Sequence, residues 1–218
     1  MNTQAFVLRH IFVSPPGKIL TTREFLIYGS RAAVDQALSR LVKKGILRRL
    51  ARGVFLRHDS ELANITVWDV ARVKAQSFGK QIAGWGGNIA AELGLLEPEK
   101  LEPIFAVNGS SSGFYFGHIF IQFRRTCPRR MRFADTRAGK AIRALWHLGR
   151  GRCRQEHVHK ATQSCLRSDR EEIRLSFPWI PAWLSSYFLD LPLPLGYVKN
   201  HLSPASTAAA PDSGTGGP

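Results

Sequence analysis

The residues with the clearest chemical pattern lie between positions 30 and 52 and carry cationic, amide and hydroxyl side chains. An arginine can bind guanine through two parallel hydrogen bonds, and a glutamine can bind adenine in the same way. Serine, lysine and further arginine side chains contact phosphate oxygens, which fixes the position of a protein on a duplex. The pattern predicts a double-stranded DNA site with base-reading residues Arg31, Gln36 and Arg40, phosphate contacts Ser30, Ser39 and Lys43, and hairpin residues Arg48, Arg49 and Arg52.

One helix must present most of these side chains on a common face. Between residues 31 and 44, apolar residues recur at the i, i+3, i+4, i+7 spacing of a core-facing stripe, and the polar residues fall on the opposite side. Ser30 is a favourable N-cap, and Gly45 is a favourable left-handed C-cap. The segment predicts an amphipathic helix that buries Val34, Ala37, Leu38, Leu41 and Val42.

The flanking segments complete a compact unit around this helix. A first helix is predicted before the Pro15-Pro16-Gly17 break, and Thr21 with Glu24 has the spacing of a capping box at the start of a short second helix. Residues 46–50 and 54–57 are β-rich and joined by a glycine-containing link, which predicts a hairpin. Three helices followed by a hairpin is the order of a winged helix-turn-helix, in which one helix enters the major groove. We expect the short second helix to turn Phe25, Leu26 and Tyr28 inward.

The charge of the chain is large and unevenly distributed. The 218 residues carry a formal net charge of +15, and 44% of them are hydrophobic, which excludes a disordered or fibrous chain. Residues 1–58 hold 11 Lys and Arg against 2 acids, and residues 124–160 hold 12 against 2. A mildly acidic middle, residues 59–123, separates these two basic blocks. Such blocks attract polyanions through an interaction that salt weakens, so we expect a nucleic-acid partner.

The rest of the chain predicts a second, mixed unit. Its patterns favour helices at 67–78, 88–93, 139–148 and 156–166, and strands at 103–108 and 118–123 around the Gly109–Gly113 turn, with Arg132 and Phe133 extending the same sheet. Ile142, Leu145 and Trp146 are expected to face inward, and Trp179 and Trp183 to mark a last packed segment. We therefore predict an α+β chain with a winged helix-turn-helix at 1–58, a mixed α/β domain at 59–200 and a disordered tail at 201–218.

The second basic block is itself a candidate surface. Its arginines outnumber its lysines, and the guanidinium fork matches the geometry of phosphate. A solvated sheet edge guarded by charge, or a surface that docks an acidic or tRNA-like partner, is an equally open interpretation. The residues of this possible second nucleic-acid surface are Arg124, Arg125, Arg129, Arg130 and Arg132.

Enzymatic and metal chemistry finds little support in the sequence. The Gly109–Gly113 segment lacks the Gly-Lys-Ser/Thr ending of a phosphate-binding loop, and the acids show no paired arrangement for proton transfer. The spacings among Cys153, His157, His159 and Cys165 fit no zinc finger. We predict no catalytic residue, metal or cofactor. The short apolar runs and the N-terminal residues favour neither a membrane span nor a secretory signal, so we expect a cytoplasmic protein.

The segment from residue 20 to 56 resembles a known family. The helix SRAAVDQALSRLVKKG and the hairpin RRLARGVF together resemble the N-terminal domain of AbiEi-like antitoxins of bacterial type IV toxin–antitoxin systems. The similarity continues more loosely to about residue 150, and the last 50 or so residues match poorly.

This resemblance implies a winged-helix domain that binds the operator of its own operon and represses it, and a C-terminal domain that serves antitoxicity. It also implies a nucleotidyltransferase-like toxin as the functional partner, neutralised without a stable complex. Two other functions stay open from the sequence: a winged-helix module that binds protein or RNA without regulating transcription, and an enzyme within the C-terminal domain.

Overall fold

The structure, a computed structural model, describes residues 2–97, 102–132 and 136–189. Its α+β composition confirms the predicted fold class at that level. The tail predicted at 201–218 lies outside the described residues. The helices are α1 (Thr3–Val13), α2 (Arg31–Lys43), α3 (Val67–Ser77), α4 (Gly86–Glu92), α5 (Pro128–Met131), α6 (Arg137–Leu148), α7 (Gln155–Thr162), α8 (Arg167–Leu175) and α9 (Ala182–Leu189), with 3₁₀ turns at Thr22–Tyr28, Leu62–Asn64 and Phe177–Trp179. The strands are β1 (Leu20–Thr21), β2 (Leu47–Ala51), β3 (Val54–Arg57), β4 (Ile82–Gly84), β5 (Ile104–Val107), β6 (Ser112–Phe116) and β7 (Ile119–Arg125).

Helix α2 forms as its sequence predicts. The Ser30 hydroxyl accepts a hydrogen bond from the Ala33 amide at 3.3 Å, which caps the first turn. The apolar stripe is buried against α1 and the 3₁₀ turn, with Val42 only partly covered. The helix ends at Lys43, and Gly45 adopts a φ of 70°, so it turns the chain into β2 at no steric cost.

The segment between β1 and α2 is a 3₁₀ helix, and this changes which residues face inward. The Glu24 carboxylate accepts hydrogen bonds from the Thr21 amide and hydroxyl at 2.8 and 3.0 Å, so the predicted Thr21–Glu24 interaction is confirmed. With three residues per turn, positions 22, 25 and 28 share one face. Phe25 is buried and Tyr28 half-buried, but Leu26 is turned to solvent, so its predicted inward position is wrong.

Strands β2 and β3 form the predicted antiparallel hairpin, and β1 adds to its free edge to give the order β1-β3-β2. The register shifts between Arg49 and Ala51, where a bulge places an extra residue in β2. Gly53 closes the tip with a φ of 76°. At this end of the hairpin, Arg49 and Arg52 lie on the side of α2, whereas Leu50 and Val54 pack on the side of α3.

The second sheet has the order β4-β5-β7-β6, which differs from the predicted pair of strands around a turn. Strand β7 lies between β5, to which it is parallel, and β6, to which it is antiparallel. Residues 108–111 connect β5 to β6 across the end of β7, where the Ser111 hydroxyl accepts a hydrogen bond from the Arg125 amide at 2.9 Å, so the turn predicted to reach Gly113 ends two residues earlier. Sequence reasoning missed β6 because its first residues, Ser112 and Gly113, are typical of turns.

The helices after β7 pack around α6, whose Ile142 and Leu145 are buried and whose Trp146 is half-buried, as expected. Helix α7 ends four residues before its predicted limit. Helix α8 follows it. The sequence did not predict α8, because this polar segment buries only Ile173 and shows no apolar stripe. Arg132 directly follows α5, so its predicted strand position is wrong; Phe133 lies outside the described residues. Pro128 starts a helical turn there and ends the sheet.

The two sheets share a buried cluster. Leu50, Val54 and Leu56 of the hairpin pack with Val70 of α3, and Phe114 of β6 covers the same cluster. The predicted domain boundary at residue 58 stays a prediction, but apolar side chains on both sides of it are in contact. Within the described residues, no helix is long and apolar enough to cross a membrane.

Candidate nucleic-acid interface

The outer face of α2 presents the predicted base-reading residues to solvent. Arg31, Gln36 and Arg40 are exposed, and so are the predicted phosphate contacts Ser39 and Lys43. The apolar stripe on the opposite face holds the helix on its core, which fixes the direction of the polar face. The Arg31 Nε donates to Asp35 Oδ2 at 2.9 Å, one turn along. An exposed pair of this kind is weak in water, so the guanidinium is available to a stronger anion.

A groove of about 260 Å³ runs between α2 and the hairpin. Four of the predicted residues line it, from two elements that are separate in sequence: Arg31 and Ser39 from α2, and Arg49 and Arg52 from the hairpin. Asp35 is the acid in its lining. The groove thus concentrates positive charge next to the helix face that carries the amide and guanidinium groups.

Arg48 does not line this groove. Successive side chains of a strand point to opposite faces, so Arg48 and Arg49 of β2 cannot serve the same surface. Arg48 is half-buried, whereas Arg49 is exposed and its Cζ lies 5.9 Å from the centroid of the Phe55 ring. The sequence grouped these two arginines by proximity alone, and the structure separates them.

Lys74 of α3 lies next to the hairpin arginines Arg49 and Arg52 and was missed by sequence reasoning. Its Nζ donates to the carbonyl oxygen of Arg52 and lies 5.4 Å from the centroid of the Phe114 ring. Burial lowers the pKa of the Lys74 ammonium, and the nearby charges of Arg52 and Arg49 lower it further. Lys74 and Arg52 are 22 residues apart, so no local pattern could have paired them.

Arg23 reinforces this connection from the 3₁₀ turn. Its Nη1 donates to the Ser77 carbonyl oxygen at 2.6 Å, and its Cζ lies 5.6 Å from the centroid of the Phe78 ring. Together, Arg23 and Lys74 tie the end of α3 to the region that carries α2 and the hairpin. Residues before and after position 58 therefore form hydrogen bonds next to the groove.

The second predicted basic surface is built differently, because three of its arginines lie on tryptophan rings. The Cζ of Arg124 is 5.5 Å from the Trp85 centroid, that of Arg130 is 4.9 Å from Trp146, and that of Arg132 is 3.8 Å from Trp179. Arg125 and Arg129 are exposed. A guanidinium over an aromatic ring keeps hydrogen-bond donors at its edge for an anion, while the ring supports its position.

A larger cavity of about 600 Å³ opens beside this surface, between α4, α6 and the sheet. Trp85 and His147 form part of its wall, with their ring centroids 5.9 Å apart, and Asn88, Glu102 and Arg152 supply polar groups. Burial lowers the pKa of His147, and the charges of Arg152 and Arg130 act in the same direction. His147 is therefore a neutral donor and acceptor at physiological pH.

A family model described as a family of unknown function, DUF6088, matches residues 7–173. The chain belongs to the DUF6088 family. No curated protein matches the sequence. Among solved structures, the chain is similar to the crystal structure of the RV2827C protein from Mycobacterium tuberculosis, with 12% identity over 87% of this chain and 82% of that chain and a TM-score of 0.33. That TM-score is too low to indicate a shared fold.

The structure places the four residues weighed as a metal site, Cys153, His157, His159 and Cys165, in and around α7. Cys153 and Cys165 are buried, and burial raises the pKa of both thiols. His157 Nδ1 accepts a hydrogen bond from the Arg154 amide at 3.0 Å at the start of α7, and His159 is exposed. Across residues 2–97, 102–132 and 136–189, no three His, Cys, Asp or Glu side chains come together as a metal site.

Proposed function

We propose that this DUF6088 protein is a DNA-binding transcriptional repressor whose N-terminal region, residues 1–58, is a winged helix-turn-helix. The observation that carries the proposal is the groove between α2 and the hairpin, which joins Arg31 and Ser39 to Arg49 and Arg52. In this arrangement α2 enters the major groove of the DNA, and the hairpin contacts the phosphate backbone next to that groove.

The order of elements supports this proposal. The chain runs α1, β1, a 3₁₀ turn, α2, β2 and β3, and the three strands form one small sheet beside the helices. An α-helix with its side chains is about 10–12 Å wide, which fits the roughly 12 Å width of the major groove of B-DNA. Arg31, Gln36 and Arg40 are all exposed on α2, and their side chains are suited to guanine and adenine edges.

The charge of the region supports contact with phosphates. Residues 1–58 carry 11 Lys and Arg against 2 acids, and both acids are engaged: Asp35 with Arg31 and Glu24 with Lys18 at 2.9 Å. An operator duplex would displace Asp35 from Arg31, since a phosphate binds a guanidinium bidentately and is surrounded by further cations here. Lys43 and Arg49 supply sequence-independent contacts in this proposal.

The repressor is, in this proposal, the antitoxin of a type IV toxin–antitoxin system, because residues 20–56 resemble AbiEi-like antitoxins. It acts in the cytoplasm on the operator of its own operon, without catalysis or a cofactor. Its functional partner is a nucleotidyltransferase-like toxin that it neutralises without a stable complex. A gene for such a toxin is expected next to the gene of this protein, and co-expression should relieve growth arrest without co-purification of the two proteins.

Fluorescence anisotropy with DNA from upstream of the gene tests operator binding directly. We expect tight binding whose log Kd changes linearly with log salt, with a slope of about 0.9 per contacted phosphate. Arg31→Ala with Gln36→Ala should reduce the preference for the operator over random duplex, whereas Arg49→Ala should weaken both equally. Arg174→Ala, an exposed arginine on α8, is the matched control and should change neither. Equal affinity of the wild-type protein for operator and random duplex would refute operator recognition.

A further inference from the structure

We propose that the outer face of the second sheet, formed by β6 and β7, binds single-stranded nucleic acid by stacking bases on Tyr115 and Phe120. This aromatic face is separate from the groove between α2 and the hairpin, and it does not depend on operator binding. Its supporting observations are two exposed aromatic rings, a glycine beneath one of them, and an arginine, Arg124, on the same face of β7.

The two rings form a cross-strand pair. Tyr115 of β6 lies opposite Phe120 of β7, and their ring centroids are 5.0 Å apart. Their side chains point away from the buried face, where Phe114 and Ile121 pack against α3 and its neighbours. Tyr115 is 63% exposed and Phe120 is 43% exposed. Large aromatic rings at this exposure leave apolar surface in water, which a flat partner would cover.

Gly113 determines how Phe120 lies on the sheet. A Cβ atom at Gly113 would fall 2.8 Å from Cε2 of the Phe120 ring, so the ring occupies the space that a side chain would fill. Phe120 therefore rests on the backbone of β6 instead of standing above it. A ring held in this way offers a supported surface for stacking, because it loses little conformational freedom when a base covers it.

Positive charge continues along the same face of β7. Phe120, Gln122 and Arg124 alternate with buried residues and so point outward together, and Arg124 is about 13 Å from Phe120 at the usual strand rise. The Arg124 guanidinium lies over Trp85 and its Nη2 donates to Gln122 Oε1 at 3.5 Å. The Glu102 carboxylate accepts a hydrogen bond from Gln122 Nε2 at 2.9 Å, at the β5 side of this face.

This combination favours a single strand over a duplex or a protein. Bases in a duplex are stacked on each other and hide their faces, whereas an unpaired base can stack on an exposed ring. The phosphates between stacked bases carry the negative charge that the exposed Arg124 attracts. The core of a protein–protein interface, by contrast, is depleted of charged residues, whereas this face passes from Phe120 to Arg124 within one strand.

The test is an anisotropy titration of the full chain with labelled oligouridine and oligothymidine of about a dozen nucleotides, a length suited to a single-strand site. We expect both to bind, with affinity that falls as salt rises; a preference for oligouridine identifies RNA through its 2′-hydroxyls. Tyr115→Leu and Phe120→Leu should each weaken binding by about 5- to 150-fold, which corresponds to the loss of one stacked base. Leucine still covers the strands with apolar surface but cannot stack on a base. Tyr115→Trp keeps an aromatic ring at this position and should therefore retain binding.

Two controls separate this proposal from folding defects and from operator binding. Phe12→Leu removes a ring of similar exposure, 57%, on α1, and should leave oligonucleotide binding unchanged. Arg31→Ala with Gln36→Ala should alter duplex binding but not oligonucleotide binding, so either proposal can fail alone. Each variant is first checked for an unchanged urea unfolding midpoint. Oligonucleotide affinity that is unchanged in the doubly substituted Tyr115→Leu, Phe120→Leu protein would overturn the proposal, as would binding of duplex alone.

Discussion

Replacing Gly86 by alanine tests a close approach between α4 and α6. A Cβ at Gly86 would lie 2.7 Å from the carbonyl oxygen of Arg143 and 2.9 Å from the Cβ of His147. Ordinary contacts begin at 3.4 Å, so α4 and α6 would have to separate by about 0.7 Å. Neither contacting atom belongs to the flexible end of a side chain, so the strain cannot be relieved by a rotamer change.

The expected loss of stability follows from two opposing effects. Overpacking of a well-packed contact costs about 1–3 kcal/mol. Alanine is a better helix former than glycine by up to about 1 kcal/mol, but Gly86 is the first residue of α4, where this gain is smaller. We expect a net loss of about 1–2 kcal/mol in the free energy of unfolding.

Urea unfolding followed by tryptophan fluorescence measures this effect. With an m value near 2 kcal/mol/M, the midpoint should fall by about 0.5–1 M. Gly151→Ala is the matched control, because a Cβ there meets no atom within 4 Å, and its effect should stay within about 0.5 kcal/mol. A midpoint for Gly86→Ala at or above that of the wild-type protein would refute the close packing of α4 on α6.

Three further predictions concern single side chains. Phe25→Ala removes a fully buried ring from the N-terminal core and should lower the free energy of unfolding by about 3–5 kcal/mol in the same urea assay. Arg49→Ala should reduce the slope of log Kd against log salt for duplex DNA by about 0.9, since one phosphate contact is lost; an unchanged slope would place Arg49 away from the backbone. The pKa of His147 is lowered in the folded protein, so the unfolded chain binds more protons just below pH 6.5. Stability should therefore fall as the pH decreases from 6.5 toward the folded-state pKa, and His147→Gln should remove this part of the pH dependence, as measured by urea titrations at several pH values.

Local signals were enough to predict α2 and the hairpin. The Ser30 cap, the apolar stripe and the Gly45 turn are all encoded within 16 residues, and the structure confirms each of them. The groove between α2 and the hairpin has the same origin, because the two elements are adjacent in sequence and the short connection from Lys43 to Leu47 keeps them together. This explains why Arg31 and Arg49, predicted on separate elements, line one surface.

Elements that depend on distant contacts could not be predicted in this way. Strand β6 has an exposed, turn-like start and becomes a strand because β7 pairs with it. Helix α8 is almost entirely polar and is fixed by the burial of one residue, Ile173. Leu26 was misplaced because an α-helical period was applied to a 3₁₀ turn. The tryptophan partner of Arg132 lies 47 residues away, at Trp179, beyond the reach of any periodic pattern.

Strand β6 connects the two surfaces proposed for nucleic acid. Its inward residues Phe114 and Phe116 pack with the buried cluster of the hairpin, whereas Tyr115 between them points to the opposite face. The hairpin and the aromatic face are therefore joined through contiguous apolar packing, not through a free linker. Lys74 adds a polar contact along the same path, because it lies over Phe114 and donates to the Arg52 carbonyl. Strand β6 is therefore the element that packs on the hairpin with one face and carries Tyr115 on the other.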